Sequence, residues 1–168
     1  LNPNNSDGWV NKGATLHELK RFEEALECYD EALSINPNYA EVYVNKGLSL
    51  NALSRFDEAL LVFDKAITIK PDNSDAWRNI ALCLNKNKKY QAALESINQA
   101  ITLNPNNSNF YSDKGIILHE LKRYKDALVE YDTAIQINPD LAEPYINKGF
   151  TLNAIDQYQE ALLYFDKD

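Results

Sequence analysis

The chain has 168 residues and a formal net charge of −8. That balance excludes nucleic acid as a general partner, because phosphate binding runs on clustered Lys and Arg. No apolar run approaches the ~18 residues of a membrane span, and no secretory leader is visible. Cys28 and Cys83 sit in unlike surroundings, so two reduced thiols and a cytoplasmic setting are expected rather than a disulfide framework. There is no Met, so the natural start is expected upstream.

Read from the first residue, Leu1-Asn2-Pro3 looks like the tail of a preceding unit, assigned to residues 1–5. Val10 to Gly13 then spell Val-Asn-Lys-Gly, a phrase repeated at Val44 to Gly47 and varied at Ser112 to Gly115 and Ile146 to Gly149. The glycines Gly13, Gly47, Gly115 and Gly149 lie 34 residues or a multiple apart, with Ala81 in the missing place. Aromatics (Trp9, Tyr43, Trp77, Tyr111, Tyr145), alanines (Ala25, Ala59, Ala93, Ala127, Ala161) and prolines (Pro37, Pro71, Pro105, Pro139) keep the same step. A fixed period of this length marks a stacked-repeat architecture. The units read as 6–39, 40–73, 74–107, 108–141 and a truncated 142–168.

Position 1 of each unit is Ser6, Ala40, Ser74, Ser108 or Ala142, taken as the helix N-cap since a Ser hydroxyl accepts from free N–H groups. Trp9, Gly13 and Leu16 follow at i, i+4 and i+7, the stripe of a first helix. Phe22, Ala25, Tyr29 and Ala32 make the stripe of a second. Pro37 ends it, since its ring removes a helical donor and restricts the residue before it. Each unit is thus predicted to be two antiparallel helices of roughly 12–14 residues. The small residue at position 8 lets them approach closely. Pro144 falls in a first turn, where a missing N–H costs little.

This combination of length, aromatic, glycine, paired alanines and proline resembles the tetratricopeptide repeat family over the whole chain. The resemblance implies an all-α fold, a right-handed solenoid of antiparallel helix pairs. Position 7, usually Leu in that family, is Lys12, Lys46, Lys114 and Lys148 here. Such a lysine is expected to pack its stem and push its amine to solvent. A longer rhythm overlies the short one. Leu-His-Glu-Leu-Lys-Arg occurs at Leu16–Arg21 and again, three units on, at Leu118–Arg123. The array is read as copied in blocks of three, with the third unit as the odd member.

No catalytic constellation is visible. His17 and His119 lie three units apart and read as surface residues. No Cys/His spacing suits a metal and no glycine cluster suits a phosphate, so neither cofactor nor metal is expected. Lys20, Arg21, Arg55, Lys88, Lys89, Lys122 and Arg123 gather at the turns after first helices, where the helix dipole favours cations.

What remains is the groove that the resemblance implies along the first helices. Position 6 is Asn11, Asn45, Asn79, Asp113 and Asn147. An amide can both donate to and accept from an extended peptide backbone. This ladder resembles the asparagine ladder of O-linked N-acetylglucosamine transferases; Asp113 departs, since an ionised carboxylate only accepts. Apolar residues flank it at Val10, Val44, Leu48, Leu82, Ile116, Ile146 and Phe150, and Asp7, Glu41, Asp75 and Glu143 form an acidic edge. The carboxylate clamp of co-chaperones needs cations and an Asn where Val10, Ala14, Asp75 and Asn79 stand, so it is rejected.

The function expected is a non-catalytic scaffold that binds an extended, basic protein segment. Two rivals are a substrate-targeting array of a larger enzyme, such as a glycosyltransferase, and a self-assembling structural array. An apolar flank from among Leu162, Leu163 and Phe165 is expected to give weak end-to-end association.

Overall fold

The computed structural model describes residues 5–165. The expected tail at residues 1–4 and the last three residues, to Asp168, lie outside the described residues. Ten α-helices and no strands occupy the described residues: α1 (Ser6–Glu18), α2 (Phe22–Ile35), α3 (Ala40–Ala52), α4 (Phe56–Ile69), α5 (Ser74–Lys86), α6 (Tyr90–Leu103), α7 (Ser108–Glu120), α8 (Tyr124–Ile137), α9 (Ala142–Asn153) and α10 (Tyr158–Phe165). The chain divides into two compact units, Leu1–Cys83 and Leu84–Asp168, with the boundary inside α5. In the first unit α1 packs on α2, α2 on α3 and α3 on α4; in the second α6 packs on α7, α7 on α8, α8 on α9 and α9 on α10.

The caps sit one residue earlier than the sequence reading placed them. Asn5 is the N-cap of α1 and accepts from the Gly8 N–H at 3.1 Å. Asn107 does the same for α7, and Asn73 accepts from the Ala76 N–H at 3.0 Å. The Asn before the Ser reaches the free N–H groups first. The Ser6 hydroxyl instead donates to the Ala32 carbonyl at 3.2 Å, which ties α1 to α2. Tyr39 and Leu141 occupy the cap positions of α3 and α9 without a side-chain bond.

Each described first helix ends in the same way. After α1 the Arg21 N–H donates to the Leu16 carbonyl and the Lys20 N–H to the His17 carbonyl, a six-to-one and five-to-two closure. That closure needs one left-handed residue. It is Lys20, Ser54, Lys88, Lys122 and Asp156 in turn, at φ 59 to 63°, and never glycine. Arg21, Arg55 and Arg123 then serve as N-caps of the second helices and pair with Glu24, Glu58 and Asp126 three residues on. The hydrogen bond to Arg21 holds the Glu24 carboxyl below its usual range, and the Arg55 bond does the same to Glu58. Second helices α2, α4, α6 and α8 stop two residues before Pro37, Pro71, Pro105 and Pro139. The aromatic at position 4 of the next repeat grips that proline's carbonyl: Tyr43, Trp77, Tyr111 and Tyr145 donate to Pro37, Pro71, Pro105 and Pro139 at 3.0–3.2 Å. Trp9 holds that position in the first repeat.

The glycine has a specific ring against it. A Cβ built on Gly13 would lie 2.6 Å from Tyr29, on Gly47 2.4 Å from Phe63, on Gly115 2.3 Å from Tyr131 and on Gly149 2.6 Å from Phe165. No methyl fits there without moving an aromatic that is itself packed. In the third repeat the same two register positions hold Ala81 and Ile97. The one repeat with a Cβ at the first position has no aromatic at the second.

Candidate functional site

The ladder is built unit by unit. In the first unit α1 carries Asp7, Val10, Asn11 and Ala14 on one face, at the i, i+3, i+4 and i+7 steps that align side chains along a helix. On α3 the same face carries Glu41, Val44, Asn45 and Leu48, and the first turns of α5 carry Asp75, Asn79 and Leu82. Asn11 is exposed; Asn45 and Asn79 are half-buried; Val10, Ala14, Val44, Leu48 and Leu82 are half-buried; and Asp7, Glu41 and Asp75 are exposed. The Tyr39 phenol donates to Asp7 at 3.2 Å, so that carboxylate has one protein partner already.

In the second unit the pattern changes. Asp113 is only 4 % exposed, so its carboxylate is not presented at the surface as a rung. Ile116 is half-buried, while Ile146 and Phe150 are 43 % and 58 % exposed. Asn147 is half-buried, and its amide Nδ2 is shielded yet has no hydrogen-bond partner in the protein. Glu143 is exposed. Among the described residues, no side-chain hydrogen bond ties Asn11, Asn45, Asn79 or Asn147 to a neighbouring helix.

The histidines are not surface residues. His17 is half-buried, its Nδ1 lies 2.7 Å from the fully buried Ser49 hydroxyl of the next repeat, and its ring meets Phe22 edge-on at 5.1 Å. Burial pushes the Tyr29 phenol up to about 12. Three repeats on, His119 Nδ1 lies 2.9 Å from Thr151 Oγ1, His119 meets Tyr124 edge-on at 5.1 Å, and burial pushes the Tyr131 phenol up to about 12. Thr151 donates its own proton to the Asn147 carbonyl at 2.9 Å, which leaves its oxygen to accept from the imidazole. These His–hydroxyl pairs tie one repeat to the next. No reading of a single helix could find them, because the partner sits 32 residues away.

Nor do the lysines of position 7 all point to solvent. Lys46 pairs with Asp30 and Lys148 with Asp132, each reaching back to the second helix of the preceding repeat. The corresponding residue before Lys114 is Asn98, and Lys114 turns instead to Glu130 of its own repeat at 2.8 Å. Burial of Lys148 works against its charge, but hydrogen bonds to Asp132 and Tyr164 outweigh that and hold its pKa raised. Lys12 lies over the Trp9 ring at 5.3 Å. Both cysteines are buried free thiols, and burial pushes the Cys28 thiol up. Among the described residues no group of three or more His, Cys, Asp or Glu side chains is placed to hold a metal. No described helix is long and apolar enough to cross a membrane.

Helix pairs at this period, four of the five locked by a glycine under a ring and the first four closed by a proline, define a class of interaction repeat. Tetratricopeptide repeat profiles match residues 6–39, 40–73 and 74–107, and again 97–129, with a further TPR repeat profile over 115–152. The chain belongs to the tetratricopeptide repeat family. No curated protein matches it in sequence. Among solved structures it is similar to MamA residues 41-end from Desulfovibrio magneticus RS-1, at 22% identity and TM-score 0.84, covering 96% of this chain and 92% of that one. It is similar to PilF of Pseudomonas aeruginosa at 20% identity and TM-score 0.85, covering 96% and 73%. It is also similar to YrrB, described as a TPR protein with an unusual peptide-binding site, at 25% identity and TM-score 0.73, covering 99% and 86%.

Proposed function

We propose that this chain is a non-catalytic protein-interaction scaffold whose first helices hold an extended peptide segment by its backbone. The observation that carries the reading is the unspent amide at position 6. Asn147 keeps a shielded donor without a partner, and the amides of Asn11, Asn45 and Asn79 make no bond to a neighbouring helix among the described residues. An amide that stabilises no helix contact is available to a ligand, and it matches one N–H and one C=O of an extended strand. Half-buried Val10, Val44, Leu48 and Leu82 add apolar contact, and exposed Asp7, Glu41, Asp75 and Glu143 favour basic peptides. YrrB, a similar chain, is itself described as peptide-binding, which supports the reading. A cytoplasmic setting fits the two free buried thiols.

Each rung contributes ~1 kcal/mol net, and association entropy offsets part of the sum, so affinity is roughly micromolar or weaker. The test is binding of a mixed peptide library to the wild type and to a variant with Asn11, Asn45, Asn79 and Asn147 all changed to Ala. A well-folded variant that binds as the wild type does rejects the ladder.

A second reading has its own observation. Leu162 and Leu163 are 55% and 65% exposed on α10. Exposed neighbouring leucines on one helix favour weak self-association. Phe165 takes no part in it, since it is turned over Gly149 and meets Phe150 edge-on at 5.3 Å. Sedimentation of the wild type against Leu162→Lys/Leu163→Glu separates this reading from the first.

A further inference from the structure

In the first unit the groove has a hole in its wall. A pocket of about 130 Å³ opens between α1 and α3, lined by Ala14, His17, Glu18, Tyr29, Asn45 and Leu48. Ala14 is the smallest side chain of its lining. Position 9 is Ala14 in the first repeat but Leu48, Leu82, Ile116 and Phe150 in the others. The junction of α7 and α8 with α9 keeps every polar neighbour at the same register: His119, Glu120, Tyr131 and Asn147. There, however, Ile116 and Phe150 replace Ala14 and Leu48. The polar frame was copied and the wall was not.

The lining defines the occupant. Ala14 and Leu48 supply apolar sides, the buried Tyr29 ring (1 % exposed) supplies the floor, and the exposed Glu18 carboxylate stands at the rim. Its volume matches about four water molecules at ~30 Å³ each, enough for an unbranched four-carbon stem. An aliphatic stem ending in a cation lays its carbons along such walls and its charge against the carboxylate. An apolar side chain would desolvate Glu18 with nothing in return, and an acidic one would be repelled. Asp7 and Glu41, exposed further along the same two helices, bias the approach in the same direction.

We propose that this pocket is the side-chain specificity pocket of the groove and takes a lysine or arginine of the bound peptide. The proposal rests on the peptide-groove reading above. Asn45 is both a rung and a wall of the pocket, so the residue read is the one whose backbone that amide holds, or its neighbour.

The experiment uses five pools of extended peptides with one position fixed as Lys, Arg, Leu, Ala or Glu and the rest randomised. Fluorescence anisotropy measures each pool against wild type, Ala14→Leu and Glu18→Gln, with circular dichroism confirming that each variant is folded. The expected result is that wild type favours the Lys or Arg pool over the Ala pool by about tenfold. Ala14→Leu removes the preference, so that the Lys and Arg pools bind it no better than the Ala pool does, and Glu18→Gln weakens the preference several-fold. Binding without preference, a preference for Leu, or a basic preference that survives both variants overturns the pocket and leaves the groove standing. Failure of every pool to bind wild type overturns the groove reading and the pocket with it.

Discussion

Two junctions in this chain are copies of one another, and they have diverged on one side only. Where α1 and α2 meet α3, Gly13 lies under Tyr29, and His17 meets the Ser49 hydroxyl. Where α7 and α8 meet α9, Gly115 lies under Tyr131, and His119 meets the Thr151 hydroxyl. Even the outer ion pair is kept, Lys46 with Asp30 and Lys148 with Asp132. On the candidate face the likeness stops: Ala14 and Leu48 against Ile116 and Phe150, and the exposed Asn11 against the buried Asp113. The difference separates two kinds of constraint. A buried hydroxyl and the imidazole against it must satisfy one another or each costs the loss of its bonds to water. A residue of the candidate face is held by no such closed set and can change singly.

The sharpest way to break the comparison is at the glycine. Gly115→Ala is expected to destabilise by about 3 kcal/mol, because the new methyl meets a ring that cannot retreat; urea denaturation followed by circular dichroism measures it. The pair at Ala81 and Ile97 predicts the remedy. Tyr131→Ile added to Gly115→Ala is expected to recover part of the loss, whereas additive losses would show that the ring is not what forbids the methyl.

Alkaline titration comes next. Both phenols hold their protons to about pH 12 in the folded chain, against about 10 in an unfolded one. Between those values the unfolded state has released protons that the folded state keeps, so stability falls as pH rises through the window, by about 2 kcal/mol per tyrosine. Lys148 works in the same sense, since its raised pKa gives stability that is lost as pH rises through the folded value. Tyr29→Phe and Tyr131→Phe should each flatten the slope of stability above pH ~10.

Removing the imidazole tests whether the two pairs are equivalent. His17→Ala and His119→Ala are each expected to cost about 1 kcal/mol by removing one hydrogen bond from a buried hydroxyl. Denaturation midpoints that differ widely between the two would mean that the copies carry different loads. The smallest effect runs the other way. Lys20→Gly and Lys122→Gly place glycine at φ 59° and are expected to stabilise by about 0.5–1 kcal/mol each. No gain at either would show that the lysine stem recovers its backbone strain by local packing.

Much of the fold was legible because a repeat reports its own packing. Positions 8, 20, 27 and 32 hold small residues or proline at the same step through the first four units, so the step alone exposes them. Contacts between different positions are not written in the step. Periodicity placed Gly13 on an inward face but could not say that the ring above it is Tyr29 rather than Trp9 or Phe22. It could not pair His17 with Ser49, and it left Lys46 without Asp30. The caps slipped by one residue because Asn-Asn-Ser and Asn-Asn-Ser-Asn offer two adjacent acceptors, and only geometry chooses between them. At position 6, register aligned the residues of the candidate ladder, but exposure depends on neighbours that change from repeat to repeat. That is why Asp113 sinks where Asn11 stays at the surface.

Trp9 and Trp77 are the only tryptophans, and both belong to the first unit. Trp77 donates its indole N–H to the Pro71 carbonyl, and Trp9 lies under the Lys12 ammonium, so both emitters report ordered local contacts. The chain thus carries a built-in optical label on one half. Tryptophan emission follows the melting of residues up to Cys83, while far-ultraviolet ellipticity follows all ten helices. In a stacked array, where each repeat is stabilised chiefly by its neighbours, the gap between the two transition midpoints is a direct reading of how strongly one half's melting drags the other with it.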